Sequence, residues 1–174
     1  HTSRSAFILM YPPQQKLKRF LGYLRIKLRE RLAAKYDCFV ILTEVERTEW
    51  KGISHIEVIP NANPLEITEQ ADVASSRKII AAGRMEYVKN FLELVDIWAK
   101  VAPHHPDWHL SIYGDGWLYP SLEQRIAQHG IEAQTILEGS SNNMASAYAD
   151  SSIYVMTSHF EGLPMVLIEA QTMG

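Results

Sequence analysis

Two hydrophobic rhythms succeed each other along the chain. Between residues 16 and 35, Leu17, Phe20, Leu21, Leu24, Leu28 and Leu32 recur at helical spacing, which predicts an amphipathic helix. Ile26 falls off that stripe, and Lys18, Arg19, Arg25, Lys27, Arg29 and Arg31 lie largely on the rest of the wheel. Shorter apolar runs follow. Residues 38–43 read as a buried strand, 44–50 as a short helix before Gly52, and 56–59 as a second strand. The segment Pro60-Asn-Ala-Asn-Pro64 then breaks regular structure, because paired prolines fix the local backbone. A domain boundary is placed there, dividing residues 1–60 from 61–174.

Beyond the hinge, strands and helices alternate. Strands are predicted at 78–82, 109–113, 135–138 and 153–157, with helices at 90–102, 120–129, 143–150 and about 163–173. The second helix stops at Gly130, and Gly174 stands where a C-terminal cap would sit. Alternation of this kind argues for βαβ units, and so for a Rossmann-like parallel sheet of α/β class with helices on both faces. In such a sheet ligands bind at the carboxyl ends of the strands. The loops 83–89, 114–116, 139–142 and 159–164 are therefore expected to converge on one edge.

Composition adds limits rather than a function. The 174 residues are 47% hydrophobic and 21% charged, enough to bury a sizeable core. Cys38 is the single cysteine, so no intrachain disulfide can form and a reducing cytoplasmic setting is expected. No apolar run approaches the ~18–20 residues that span a bilayer, and the start lacks a signal-peptide pattern. Charge is unevenly placed. Residues 1–36 hold nine Lys or Arg against one Glu, a net of +8, and the overall −3 leaves −11 for the remainder. The basic helix at 16–35 has two readings: a core helix with a solvated face, or a peripheral contact with the anionic inner face of a membrane. Nucleic acid is excluded as a partner, because the basic run lacks interleaved aromatics for base stacking and the rest is acidic.

The candidate chemistry sits in the second half. Glu161-Gly162-Leu163-Pro164 leads into a helix that carries Glu169, with seven residues between the two glutamates. Pro164 suits a first helical position and Gly162 permits close backbone approach. Unpaired amides at a helix start attract phosphate, while carboxylates accept hydrogen bonds from sugar or ribose hydroxyls. Past the first strand of this half, Gly83-Arg84-Met85-Glu86-Tyr87-Val88-Lys89 supplies a guanidinium and an ammonium that can neutralise a diphosphate without a metal. Each piece alone also reads as solvated surface charge.

Together the pieces resemble the retaining glycosyltransferases of family 4, which have the two-domain GT-B fold. The resemblance rests on Pro60-Asn61, on Gly83, Arg84 and Lys89, on Gly114-Asp115-Gly116, on Ile136-Leu137-Glu138-Gly139, and on the paired Glu161 and Glu169, and it runs from about residue 56 onwards. It implies transfer of a sugar from a nucleotide-diphosphate donor to an acceptor hydroxyl with retention, in polysaccharide or glycolipid assembly. In that reading Arg84, Lys89 and the amides around Gly162, Leu163 and Pro164 hold the diphosphate. Glu161 meets the donor sugar, Glu169 the ribose, and the backbone around Leu137 and Gly139 frames the base, while Gly83, Gly114 and Gly116 shape the donor site. The partners are a nucleotide sugar and a saccharide or lipid-linked acceptor. No cofactor and no metal are implied, and the chain has no Asp-x-Asp pair.

Rival readings are a sugar-nucleotide epimerase of the same architecture and a non-catalytic nucleotide-sugar-binding module. A nicotinamide fingerprint at Gly114-x-Gly116 fails because position 119 is Tyr119 rather than glycine. Set against the family, residues 1–60 read as a remnant of an acceptor domain, and the donor domain reads as cut short after Gly174. The isolated chain is accordingly expected to bind donor without turnover.

Overall fold

The computed structural model describes residues 14–50, 52–63, 71, 73–161 and 163–174. These fall into two compact units. One comprises the described residues up to Ala62 together with His159–Pro164, and the other Asn63–Ser158 with Met165–Gly174.

In the first unit, helix α1 (Lys16–Ala33) precedes strand β1 (Phe39–Ile41), a 3₁₀ segment (Glu44–Glu49) and strand β2 (Ile56–Val58). The two strands pair in parallel, Phe39 opposite Ile56 and Ile41 opposite Val58. Period-two alternation turns Phe39, Ile41, Ile56 and Val58 to one side, where they meet Ala33, Trp50 and Ile53.

Helix α1 departs from the core-helix reading, in which the leucine stripe would face inward. The leucine stripe lies outward, with Leu17 71% and Leu28 57% exposed, whereas Gly22, Ile26 and Ala33 are buried. Periodicity finds an apolar stripe but does not say which side meets a neighbour. Here the inward side is the one with small residues, which let a helix approach closely, and Ile26 is its single large apolar side chain.

The second unit is a four-stranded, wholly parallel sheet in the order β5-β4-β3-β6, formed by β3 (Lys78–Ala82), β4 (His109–Tyr113), β5 (Thr135–Gly139) and β6 (Ile153–Tyr154). Its interior strands read as near-continuous apolar runs because both faces are covered. On one face Ala81, Leu110 and Ile112 pack against α2 (Phe91–Val101) and α3 (Tyr119–His129) through Phe91, Leu94, Val95, Trp98, Leu122 and Ile126. On the other, Ile80 meets Ala147 and Tyr148 of α4 (Met144–Ala149) and Met173 of α5 (Met165–Met173). The expected α/β sheet with helices on both faces is therefore present. Burying one of these large side chains stabilises the fold by roughly 1.5–3 kcal/mol.

Element bounds move by one to three residues. Helix α3 starts at Tyr119, with Pro120 in its first turn, and α5 starts at Met165, so Pro164 stands just ahead of the helix rather than at its first position. Strand β6 ends at Tyr154 instead of residue 157. Successive strands step outward from β3 to β5, and the chain then returns to lay β6 on the other side of β3. This reversal leaves a crevice at the carboxyl ends of β3 and β6.

The orientation of α1 is tested by alanine substitution. Ile26→Ala is expected to cost about 2 kcal/mol or more in urea-induced unfolding, and Leu28→Ala no more than about 0.5 kcal/mol. The leucine stripe would have ranked them the other way round.

Candidate functional site

A cavity of about 550 Å³ opens at the carboxyl ends of the strands, of a size that holds a small organic ligand. Its lining comes from the β3 loop (Gly83, Arg84, Glu86), the β4 loop (Gly114, Asp115, Gly116), the β5 loop (Ser140, Ser141), and helices α4 (Met144, Tyr148) and α5 (Val166, Glu169). Three of the four loops expected to converge do meet here. The fourth, residues 159–164, groups with the first unit.

Glycine builds the floor. At Gly114, φ is +133°, and a Cβ there would lie 1.9 Å from the carbonyl oxygen of Gly83. The loops behind β3 and β4 thus touch backbone to backbone. They are tied by Gly83 N–H to Tyr113 O at 3.0 Å, Met85 N–H to Asp115 O at 2.8 Å, and Leu118 N–H to Met85 O at 3.1 Å. The Gly114 N–H in turn donates to Gly139 O at 2.8 Å, which brings in the end of β5. Met85 is fully buried beneath this junction and anchors Arg84 and Glu86 on either side of it.

The cations take different postures. The guanidinium of Arg84 reaches solvent, its side chain 77% exposed, and pairs with Glu86 at 3.3 Å. The side chain of Lys89 runs over Gly83, so closely that a Cβ at Gly83 would lie 2.9 Å from Lys89 Cε. Lys89 ends a 3₁₀ turn capped by Asn90, and the carbonyls of Lys89 and Asn90 accept from Thr157 Oγ1, each at 3.3 Å, so the segment leaving β6 braces the turn that carries the lysine.

On α5, Val166 and Glu169 share one face, three residues apart, and both line the cavity. The first turn of that helix, at the positive end of its dipole, thus borders the same space as Arg84. Tyr148 is 3% exposed and donates its phenol proton to Glu169 Oε2 at 2.9 Å. Burial first, then the Glu169 hydrogen bond and charge, pushes the Tyr148 phenol well above its ordinary value. The carboxylates of the cavity are all engaged: Glu86 with Arg84, Glu169 with Tyr148, and Asp115 with the Gly116 N–H at 2.7 Å.

Of the residues singled out in the sequence, Gly83, Arg84, Gly114, Gly116 and Glu169 line the cavity, and Lys89 covers Gly83. Leu137 and Gly139 lie within β5, just before Ser140. Leu163, Pro164 and Glu161 belong to the segment grouped with the first unit, and Gly162 lies outside the described residues. Sequence reasoning placed the loop carrying Ser140 and Ser141 here but assigned neither residue a role, and it missed Glu86 and Tyr148. Glu86 stood beside Arg84 inside a motif already noted, and Tyr148 sits seven residues after Ser141 on α4, a helix that the pattern did predict.

The Tyr148 contact makes a pH prediction. The native state keeps the phenol protonated while the unfolded chain loses that proton near pH ~10, so this group adds no pH dependence below that value and stability falls as pH rises above it. Thermal unfolding scanned through alkaline pH should show this fall in the wild type, and a shallower one in Tyr148→Phe.

Comparisons with known proteins agree with this architecture. Residues 66–174 match the family described as Glycosyl transferases group 1. The amylovoran biosynthesis glycosyltransferase AmsD of Erwinia amylovora is 33% identical over 141 residues, covering 76% of this chain and 40% of AmsD. An uncharacterized glycosyltransferase of Haemophilus influenzae is also 33% identical, covering 79% of this chain and 40% of its own length. The chain thus spans about 40% of the length of these curated relatives. Among solved structures, a TarM mutant of S. aureus in complex with Fondaparinux, alpha-GlcNAc-glycerol and UDP superposes with a TM-score of 0.77 at 21% identity, over 84% of this chain and 30% of that one. Anabaena HepE in complex with UDP and glucose gives 0.72 at 16% identity, over 94% and 48%. These likenesses carry the fold, which is that of GT-B enzymes. By its family match and its parallel sheet with the glycine-built cavity, the chain belongs to the group 1 glycosyl transferases.

Proposed function

We propose that the chain forms the donor side of a retaining, family 4 glycosyltransferase site, which transfers a sugar from a nucleotide-diphosphate donor to a saccharide or lipid-linked acceptor in polysaccharide assembly. The observation that carries this reading is the shared cavity in which Arg84, the Gly83 and Gly114 backbone, the first turn of α5 and Glu169 meet. Arg84 and Lys89 neutralise the diphosphate, aided by the first-turn amides of α5. Charge grows on the departing diphosphate, so these preorganised donors act as electrostatic catalysts and no metal is required. Glu169, oriented by Tyr148, accepts from the ribose hydroxyls, the segment at Leu137 and Gly139 frames the base, and Glu161 faces the donor sugar.

Binding a phosphate here requires Arg84 to leave Glu86. An exposed pair of this kind is worth no more than about 1 kcal/mol, while a charge-assisted hydrogen bond to phosphate contributes about 1.5–3 kcal/mol, so the exchange favours ligand. The ligand class matches that of HepE, solved with UDP and glucose, and the assembly role follows the name of AmsD.

Residues 1–60 are in this reading a remnant of an acceptor domain, supported by the division of compact units between Ala62 and Asn63. The chain spans about 40% of the length of AmsD, and with most of the acceptor side and the exclusion of water assigned to an acceptor domain of which residues 1–60 are a remnant, binding without turnover is the behaviour proposed for the chain alone. The outward leucines of α1, flanked by Lys18, Arg25 and Arg31, suit a peripheral contact with an anionic membrane surface on the cytoplasmic side. No helix among the described residues is long and apolar enough to cross a membrane.

Calorimetric titration of the chain with nucleoside diphosphates tests the site. Binding should persist in chelator, and both Arg84→Ala and Glu169→Ala should weaken it about tenfold or more. Absence of binding by the folded chain would sink the donor-site reading, and a requirement for divalent metal would sink the metal-free mechanism.

A further inference from the structure

The first unit holds a second constellation, remote in sequence from the residues that line the cavity. Strands β1 and β2 turn Phe39, Ile41, Ile56 and Val58 toward Trp50 and Ala33, so alternation sends the intervening positions outward. Cys38 stands just before β1, His55 just before β2, and Glu57 is the outward residue of β2. Phe39 N–H donates to His55 O at 3.0 Å, which fixes the two strand starts side by side. As a result Cys38, His55 and Glu57 each offer one ligand atom, and these atoms lie within 4.8 Å of one another.

The histidine is already set for coordination. Its Nδ1 is 3.0 Å from the carbonyl oxygen of Asp37, and because a carbonyl only accepts, Nδ1 carries the proton. In the neutral ring the lone pair is then on Nε2, which faces Glu57 Oε1 at 3.5 Å. A cation held between these two exposed acceptors would satisfy both at once. A backbone carbonyl behind the outer nitrogen is the support that metal-bound histidines regularly have, since it fixes ring and tautomer.

We propose that Cys38, His55 and Glu57 form a binding site for a divalent transition metal, with zinc the best match. A thiolate, an imidazole and a carboxylate make a borderline donor set, unsuited to magnesium or calcium, which take oxygen ligands. Metal–ligand bonds of roughly 2.0–2.3 Å in a tetrahedron place ligand atoms roughly 3.5 Å apart. All three side chains are exposed, His55 by 58% and Glu57 by 54%, which leaves them room to rotate toward that spacing. On binding, Cys38 releases its thiol proton to solvent and the sulfur lone pair enters the metal bond. The fourth position stays open for water or an exogenous ligand. A two-stranded sheet is marginal by itself, and the ion clasps its two strands at their starts.

The single cysteine makes the test clean, because any thiolate–metal absorbance can arise only from Cys38. Cobalt(II) is titrated into the reduced chain and the near-ultraviolet charge-transfer band and visible d–d bands are followed. The expected result is saturation at one equivalent per chain with tetrahedral d–d intensity, bleaching by zinc, and loss of the band in Cys38→Ser. In His55→Ala and in Glu57→Ala the affinity should fall at least about tenfold, with the far-ultraviolet circular dichroism unchanged because the residues are exposed. Zinc should also raise the melting temperature of the wild type and not of Cys38→Ser. No charge-transfer band, saturation at half an equivalent, or affinity indifferent to His55→Ala and Glu57→Ala would each overturn the site, the last two by marking a lone thiol that shares metal between chains or binds it adventitiously.

Discussion

The second unit depends on a contact between two pieces of backbone. Where the loops leave β3 and β4, the Gly114 α-carbon sits against the Gly83 carbonyl with no room for a methyl group, since a Cβ would lie 1.9 Å from that oxygen. A few ångströms further on, the Met85–Asp115 and Leu118–Met85 hydrogen bonds close the same seam. Because interiors behave as close-packed solids, a seam this tight fixes what rides on it. Arg84 and Glu86 flank the buried Met85 and Lys89 follows from the same loop, so the positions of the cations trace back to two absent side chains.

The second constraint is topological. Laying β6 beside β3 after the chain has built outward to β5 brings the start of α5 back to the first loop. Val166 and Glu169 therefore border the same space as residues that precede them by some eighty positions. Thr157 adds a direct strut across this switch by bonding the carbonyls of Lys89 and Asn90. Tyr148 supplies the other strut, from α4 to Glu169, and its burial makes that hydrogen bond costly to lose.

Much of this was legible before any coordinates. Strands buried on both faces announce themselves as apolar runs, so β3 and β4 fall at the residues the pattern gives, and the glycines of the loops mark close approaches that only glycine allows. What the pattern could not supply was partnership. Glu86 as the counter-ion of Arg84, and Tyr148 as the donor to Glu169, become visible only once separate elements are assembled. The core-helix reading of the α1 leucines failed for a related reason. Leu17 to Leu32 make the more hydrophobic stripe, yet the neighbours of the helix accept Gly22, Ile26 and Ala33. Cys38, His55 and Glu57 were hidden in the same way, since strand pairing and not spacing brings them together.

That outward stripe has a practical side. Leu17, Phe20, Leu21, Leu24, Leu28 and Leu32 present a continuous greasy ridge to water, edged by cations that repel one another in dilute buffer. Salt screens the repulsion within about 8–10 Å at ordinary ionic strength and leaves the greasy ridge untouched. Ionic strength therefore shifts the balance between charge repulsion and apolar attraction on this surface.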